Sequence, residues 1–434
     1  MAIVAPGSST TASASDGPAS YAVPLAVVTT LFFMWGFLTC LNDILVPHLK
    51  PIFDLNYKEV MLIQFAFFGA YFLFSIPSAK VIDWIGYQRS MVVGLLTMGA
   101  GAFLFVPAAS APSYPLFLVA LIVLAAGITC LQVAANPYVT VLGNPATASS
   151  RLNLTQAFNS LGTFLAPFFG GLLILTAAPK SIEEIRAMAP DALHSYRLHE
   201  AATVKTPYIG LGIALVLLAI AIGSFKLPKI PHAQHQIGEK VNDSIWKHPN
   251  LIFGAIAIFV YVGAEVSIGS FLVNYFSQPD IGGLTEKVAA SFVAFYWGGA
   301  MVGRFIGSGL LQKMKAGRLL GICAVCAAAL VTISMISTGH FAMWSIILVG
   351  FFNSIMFPSI FALGVAELGP LTGDGSGVMI MAIVGGALIP LAQGAIADRI
   401  GIHHAFFLPV VCYIYILFFA LSGSKPNSER RART

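Results

Sequence analysis

Apolar runs recur along the chain between short polar stretches, and about 20 residues at about 1.5 Å each suffice to cross the ~30 Å hydrocarbon core of a bilayer. The pattern predicts twelve spans, at 22–46, 60–82, 89–108, 115–139, 152–176, 207–225, 250–276, 287–311, 319–338, 341–365, 375–397 and 404–422. All must be helical, because lipid offers the backbone no hydrogen-bond partner. Most connections are short, and two are long. The segment 177–206 mixes signs through Glu183, Glu184, Arg186, Asp191, Arg197 and Glu200, which predicts an amphipathic surface helix. The segment 226–249 is polar, carries Pro228, Pro231, His232 and His235, and divides the spans six and six. The expected organisation is a disordered cytoplasmic tail (1–21), an N-terminal six-helix bundle (22–225), a cytoplasmic linker (226–249), a C-terminal six-helix bundle (250–422) and a basic cytoplasmic tail (423–434).

Composition narrows the function classes. Hydrophobic residues make up 57% of the chain and charged residues 9%, where a soluble domain carries about 25% charged residues. So few charges cannot cover a soluble surface, which excludes a soluble enzyme and a disordered chain. The net charge of +5 is scattered among loops, so no nucleic-acid partner is expected. The five cysteines, Cys40, Cys130, Cys323, Cys326 and Cys412, all lie in apolar runs and read as packing residues, not as a disulfide framework. His232-x-x-His235 has no evident third ligand, so no metal site is expected. Asn153-Leu-Thr155 fits a glycosylation sequon but lies within a span. No Ser-His-Asp set, HExxH or P-loop pattern occurs, so no catalytic residue, cofactor or ATP-driven step is expected.

Lys and Arg set the orientation. With the N-terminus inside, fourteen of the 23 basic residues fall in cytoplasmic segments and eight in outer ones, while Arg304 lies within a span. Both termini are therefore expected in the cytoplasm. The halves also repeat each other. LQVAANPYVTVLG (131–143) aligns with FNSIMFPSIFALG (352–364), which matches Gln132 with Asn353, Pro137 with Pro358 and Gly143 with Gly364. Both stretches occupy the fourth span of their half. Duplicated six-helix halves around a midplane site are a transporter architecture.

Polar groups inside the spans are the functional candidates, because a charge at mid-membrane costs about 2.5–3.5 kcal/mol on insertion scales. In the first span, Trp35, Thr39 and Asn42/Asp43 lie on one helical face, with Asp43 towards the outer side. It is either a hydrated interfacial carboxylate or a cavity group that can take up a proton near neutral pH or bind a cation. Glu265 lies near mid-depth in the seventh span, with Tyr261 one turn away. Arg304 sits closer to the inner surface, about 11 Å from the depth of Glu265; it reads as a gate or anchoring charge, and no direct pair between them is expected. Gln132 and Asn136 are one turn apart in the fourth span, and Gln156, Asn159 and Thr163 share a face of the fifth. Asn274 and Asn353 add amides from the second half. Amides donate and accept, which suits a polyhydroxy ligand, and Trp35, Tyr71, Tyr261 and Trp297 offer rings for a sugar's apolar face. For any one amide, a hydrogen bond between helices is an equal alternative. Gly299, Gly303 and Gly307 recur every four residues and predict close helix packing that lets the two bundles slide.

SAKVIDWIGYQRS (78–90), with Asp83, Gly86 and Arg89, resembles the loop signature of the major facilitator superfamily, G-x-x-x-D-R-x-G-R-R, with Ser or Ala for the first Gly and Trp84 for the Arg. LNDILVPHL (41–49), AANPYVTVLG (134–143), RLNLTQAFNSLG (151–162), SIMFPSIFALG (354–364) and IVGGALIP (383–390) together resemble the fucose permease group, the fucose–galactose–glucose:H+ symporters, over nearly the whole chain. The resemblance implies sugar–cation symport by alternating access, with Asp43 at the family's first-span acid and Gln156 and Asn159 at its sugar-contacting amides. It also places Asp83 and Arg89 among the gating or structural charges. Fucose permease has Glu on the fourth span where this chain has Gln132, and Gln on the seventh where it has Glu265. That pattern looks more like the glucose/galactose branch.

The expected protein is thus an all-α membrane protein of twelve helices in two pseudo-symmetric six-helix bundles. The expected function is uptake of glucose or galactose coupled to H+, with coupling to Na+ as the alternative. A drug:H+ antiporter on the same fold is the other alternative, and the amide-rich cavity counts against it. Asp43 and Glu265 are the candidate ion-coupling residues. Asn42, Gln132, Asn136, Gln156, Asn159, Glu265 and Asn353 are the candidate sugar ligands. The expected setting is the inner (plasma) membrane of a bacterium, with the chain working as a monomer in the lipid bilayer.

Overall fold

The computed structural model describes residues 21–53, 57–110, 113–173, 187–203, 205–230 and 243–426. Within these, side chains are described except at 41–53, 57–61, 64, 167–173, 194, 197 and 199–203. Both expected tails, residues 231–242 of the expected linker with His232 and His235, and residues 174–186 fall outside the described residues, apart from Tyr21 and 423–426.

Among the described residues the elements are helical. The N-terminal half comprises α1 (Ala22–Phe53), α2 (Tyr57–Ser110), α3 (Tyr114–Val141), α4 (Ala148–Leu173), α5 (Pro190–Thr203) and α6 (Lys205–Ser224). The C-terminal half comprises α7 (Pro249–Phe276), α8 (Glu286–Lys313), α9 (Ala316–Ile336), α10 (Gly339–Asn353), α11 (Met356–Gly364), α12 (Thr372–Met381), α13 (Gly385–Ile400) and α14 (Phe407–Phe418), the last extended by a π turn over Phe419–Gly423. The second and third predicted spans run together within α2 as two helices that meet at Gly86. Gly86 breaks α2 with φ 82 and ψ 167, a left-handed backbone that glycine adopts without strain. Among the described residues ten segments are long and apolar enough to cross a membrane. One of them, Phe65–Ser110, divides at Gly86 into two crossings, and the 26-residue α4 supplies another. Twelve crossings result, six to each half, so the start of α1 and the end of the last span lie on one face of the bundle, called here the terminal face. The helix expected in 177–206 appears as α5.

Two predicted spans are broken. Ser354 and Ile355 interrupt the tenth between α10 and α11, and a 3-10 turn at Ala382–Val384 interrupts the eleventh between α12 and α13. Pro358 accounts for the first break. It has no N–H for the carbonyl four residues back, that of Ser354. Helix ends on the terminal face are closed by side chains. Arg151 donates to the Thr140 and Asn144 carbonyls at 2.9 and 2.8 Å and caps the end of α3. The Asn250 amide donates to the Gly364 and Ala366 carbonyls at 3.1 and 3.0 Å and caps α11. The linker re-enters at Asp243, whose carboxyl accepts from His248 at 2.8 Å and from the Ser244 N–H at 2.8 Å, and these bonds hold it below the usual carboxylate range. All five cysteines are free.

The glycine stripe of α8 packs closely, as expected, and mostly within its own half. A Cβ at Gly299 would meet the Phe351 N–H nitrogen at 3.4 Å, and one at Gly303 would meet Ser354 Oγ at 2.5 Å; both neighbours belong to the same half. Gly307 abuts Ile355 and lies 3.2 Å from the Asn153 amide of α4. The stripe therefore holds α8 to the broken tenth span. Its Gly307 end also faces the other bundle, at α4.

Candidate functional site

The halves meet at the terminal face through hydrogen bonds whose acceptors are largely main-chain carbonyls. Ser376 Oγ of α12 donates to the Val133 carbonyl of α3 at 2.8 Å. Ser150 Oγ of α4 donates to the Ser308 carbonyl of α8 at 2.7 Å, and the Asn153 amide to the Arg304 carbonyl at 2.6 Å. Lys80 of α2 bridges Asp83 at 3.4 Å and Asp374 of α12 at 2.7 Å. The Arg304 guanidinium donates to Ser160 Oγ of α4 and, through Nε, to the Ser354 carbonyl at 3.3 Å. Arg304 thus ties α8 to α4 and to the break after α10. Among the described residues no ion pair joins it to Glu265. Asp83 joins the charge cluster at Lys80, and Arg89 is exposed.

The candidate ligands gather into one group per half. In the N-terminal half, Gln132 donates to Tyr71 Oη at 2.7 Å, and Gln156 donates to Asn136 Oδ1 at 3.4 Å. Asn136 is fully buried and its amide nitrogen has no partner. Asn159 donates to the Phe32 carbonyl of α1 at 2.9 Å, and Thr163 to that of Gly36 at 3.3 Å. These two therefore help to fasten the close α1–α4 crossing, where Gly36 abuts the Asn159 carbonyl. Trp35 is 8% exposed in this wall, and Thr39 bonds back to its carbonyl at 2.9 Å. The α1 backbone carries Asn42 and Asp43, whose side chains lie outside those described.

In the C-terminal half, Tyr261 Oη lies 2.8 Å from Glu265 Oε1, one turn away as the spacing predicted. Asn353 is fully buried, and both ends of its amide have protein partners: it donates to Tyr296 Oη at 2.9 Å and accepts from Tyr413 Oη at 2.8 Å. In this conformation Asn353 joins helices and is shut off from solvent. Trp297 is half-exposed beside Tyr296, with ring centroids 5.1 Å apart. Asn274 lines a separate cavity of about 480 Å³ towards the opposite face, with Phe65, Ser270, Pro390 and Asp398. Sequence reasoning missed Ser376, Tyr296 and Tyr413. A lone hydroxyl carries little signal in an apolar run.

The Major Facilitator Superfamily profile matches residues 25–383. The chain belongs to the major facilitator superfamily. It is 53% identical over 406 residues to a glucose/galactose transporter of Brucella abortus, covering 94% of this chain and 95% of that one. It is 36% identical to the L-fucose-proton symporter of Escherichia coli, over 92% and 93% of the two chains. The E. coli fucose:proton symporter FucP superposes with a TM-score of 0.87 at 34% identity, over 94% and 100% of the chains. A structure of FucP in the outward conformation gives the same TM-score. The fold is therefore the twelve-helix facilitator fold, two six-helix bundles related by pseudo-symmetry, as the duplicated pattern had implied. A membrane transporter of this family is not an enzyme.

Proposed function

We propose that the protein is a hexose symporter, with glucose or galactose as substrate and H+ as the coupling ion, working by alternating access. The observation that carries this reading is the 53% identity, over nearly both full lengths, to a glucose/galactose transporter. It is joined to two polar groups at mid-membrane, one in each half. The terminal face is assigned to the cytoplasm by the excess of Lys and Arg there, in the inner membrane of a bacterium, with the monomer as the working unit. The halves touch at this face, so sugar and ion enter from the other.

In this cycle Asp43 takes up the proton, loses its charge and allows the bundles to close over the substrate; release of the proton inside resets the carrier. Gln132, Asn136, Gln156 and Asn42 bind sugar hydroxyls, Asn159 contributes through its free carbonyl oxygen, and Glu265 accepts from hydroxyls on the other side. Asn353 would join them only if the conformational change frees it from its tyrosines. Glu265 also favours a second reading, in which the two carboxylates coordinate Na+.

The test is uptake of labelled glucose and of labelled galactose into proteoliposomes under an imposed pH gradient or an imposed Na+ gradient. Accumulation with the pH gradient alone supports H+ symport. Accumulation only with Na+ moves the coupling site to both carboxylates, and none with either sugar under either gradient overturns the proposal.

A further inference from the structure

A second relationship lies behind Glu265. The Tyr261 hydroxyl has two acceptors within bonding distance: Glu265 Oε1 at 2.8 Å and the Asn353 carbonyl at 3.0 Å. A phenol carries one hydrogen and cannot donate to both. The Asn353 carbonyl is not an arbitrary acceptor. It is the last of α10, at the edge of the break at Ser354–Ile355. The neighbouring Ser354 carbonyl, stripped by Pro358, takes Arg304 Nε instead.

The protonation state of Glu265 decides which acceptor is served. An ionised carboxylate makes the stronger, charge-assisted bond. It holds the phenolic hydrogen and withdraws it from the Asn353 carbonyl. A protonated Glu265 donates its own hydrogen to the phenolic oxygen, which turns the phenolic hydrogen to Asn353. Both bonds then form at once. The titratable and charged groups acting on Glu265 are Tyr261 on its own helix, Arg304 and Tyr296 on α8, and Tyr413 on α14. The Tyr296 hydroxyl reaches the Glu265 carbonyl at 3.4 Å and Asn353 at 2.9 Å, and Tyr413 holds Asn353 Oδ1. The Asn353 side chain therefore stays fixed to α8 and α14 while its carbonyl gains or loses α7.

We propose that Glu265, Tyr261 and the Asn353 carbonyl form a proton-operated latch on the break in the tenth span, with Tyr261 as the positioning residue that couples them. The proton on Glu265 fastens α10 to α7; its loss frees the break to bend. This rests on the symport reading only for its use in a transport cycle, since the latch itself involves no sugar.

The experiment is hydrogen–deuterium exchange of the purified full-length protein at pH 6 and pH 8.5, read on peptides covering 350–358 and corrected for the intrinsic pH dependence of exchange. The wild type should lose protection there several-fold at the higher pH. Glu265→Gln, whose amide can donate to Tyr261 as the protonated acid does, should stay protected at both. Tyr261→Phe should be unprotected at both. Equal protection of the wild type at both pH values, or a Glu265→Gln variant that follows the wild type, overturns the latch. A pH-dependent wild type that accumulates no hexose would sink the symport reading and leave the latch standing; hexose accumulation without pH-dependent protection would do the reverse.

Discussion

Ser376 donates to the carbonyl of Val133, the residue four before Pro137. That carbonyl is the one Pro137 leaves without its helical donor. The matching proline of the other half, Pro358, strips the Ser354 carbonyl, and Arg304 supplies that donor. Each half thus carries a proline-freed carbonyl in its fourth span, and a side chain from another helix occupies each. For Val133 the donor comes from the opposite half, so the bond also reports closure of the terminal face. Ser376→Ala should orphan that carbonyl at a cost of about 1–3 kcal/mol in this conformation. The expected outcome is a population shifted towards opening at the terminal face, read as faster thiol labelling of single cysteines placed there. Unchanged labelling would show that the bond does not hold the face shut.

The Lys80–Asp374 pair crosses the same seam at 2.7 Å, but Lys80 is 49% exposed. An exposed pair contributes about 0–1 kcal/mol and is screened by salt. Asp374→Asn should therefore shift the same labelling rate less than Ser376→Ala does, and the shift should vanish at high ionic strength. A large effect that persists in salt would refute the assignment of the seal mainly to the buried hydrogen bonds.

Gly36 lies against the Asn159 carbonyl, with no room for a Cβ. Gly36→Ala should force α1 and α4 apart and lower thermal stability by about 1–3 kcal/mol. Gly298→Ala and Gly309→Ala, with nothing within 4 Å of the added carbon, should be neutral or gain up to about 1 kcal/mol from helix propensity. Equal melting temperatures for all three would argue against a close crossing at Gly36.

Asp43→Asn should abolish gradient-driven accumulation of sugar while exchange of labelled for unlabelled sugar continues, because the amide can neither take up nor release the proton. Retained accumulation would remove Asp43 from the coupling role.

The spans, the duplication and the family resemblance were legible because they rest on long-range features: apolar runs, a repeat at an offset of 221 residues, and polar residues that membranes tolerate poorly. The Tyr261–Glu265 pair was legible because four residues make one helical turn. Features that depend on three-dimensional contact were not. Gly86 looked like part of a loop, since one left-handed residue within helical neighbours has no periodic signature. Pro137 and Pro358 align in sequence, yet α3 continues through the first and the tenth span breaks just before the second. The difference lies in what surrounds each proline. The use of Asn353 was hidden for a similar reason: its partners, Tyr296 and Tyr413, are 57 and 60 residues away.

The seam between the halves relies on main-chain acceptors: the carbonyls of Val133, Ser308 and Arg304 each receive a side-chain donor from the other half. A carbonyl is present whatever residue occupies the position. Substitutions at Val133 that preserve the packing therefore leave its half of the bond intact, whereas a change at Ser376, Ser150 or Asn153 deletes one outright. Evolution of such a carrier can retune the balance between its two faces through three donor positions, without rebuilding the surfaces they meet.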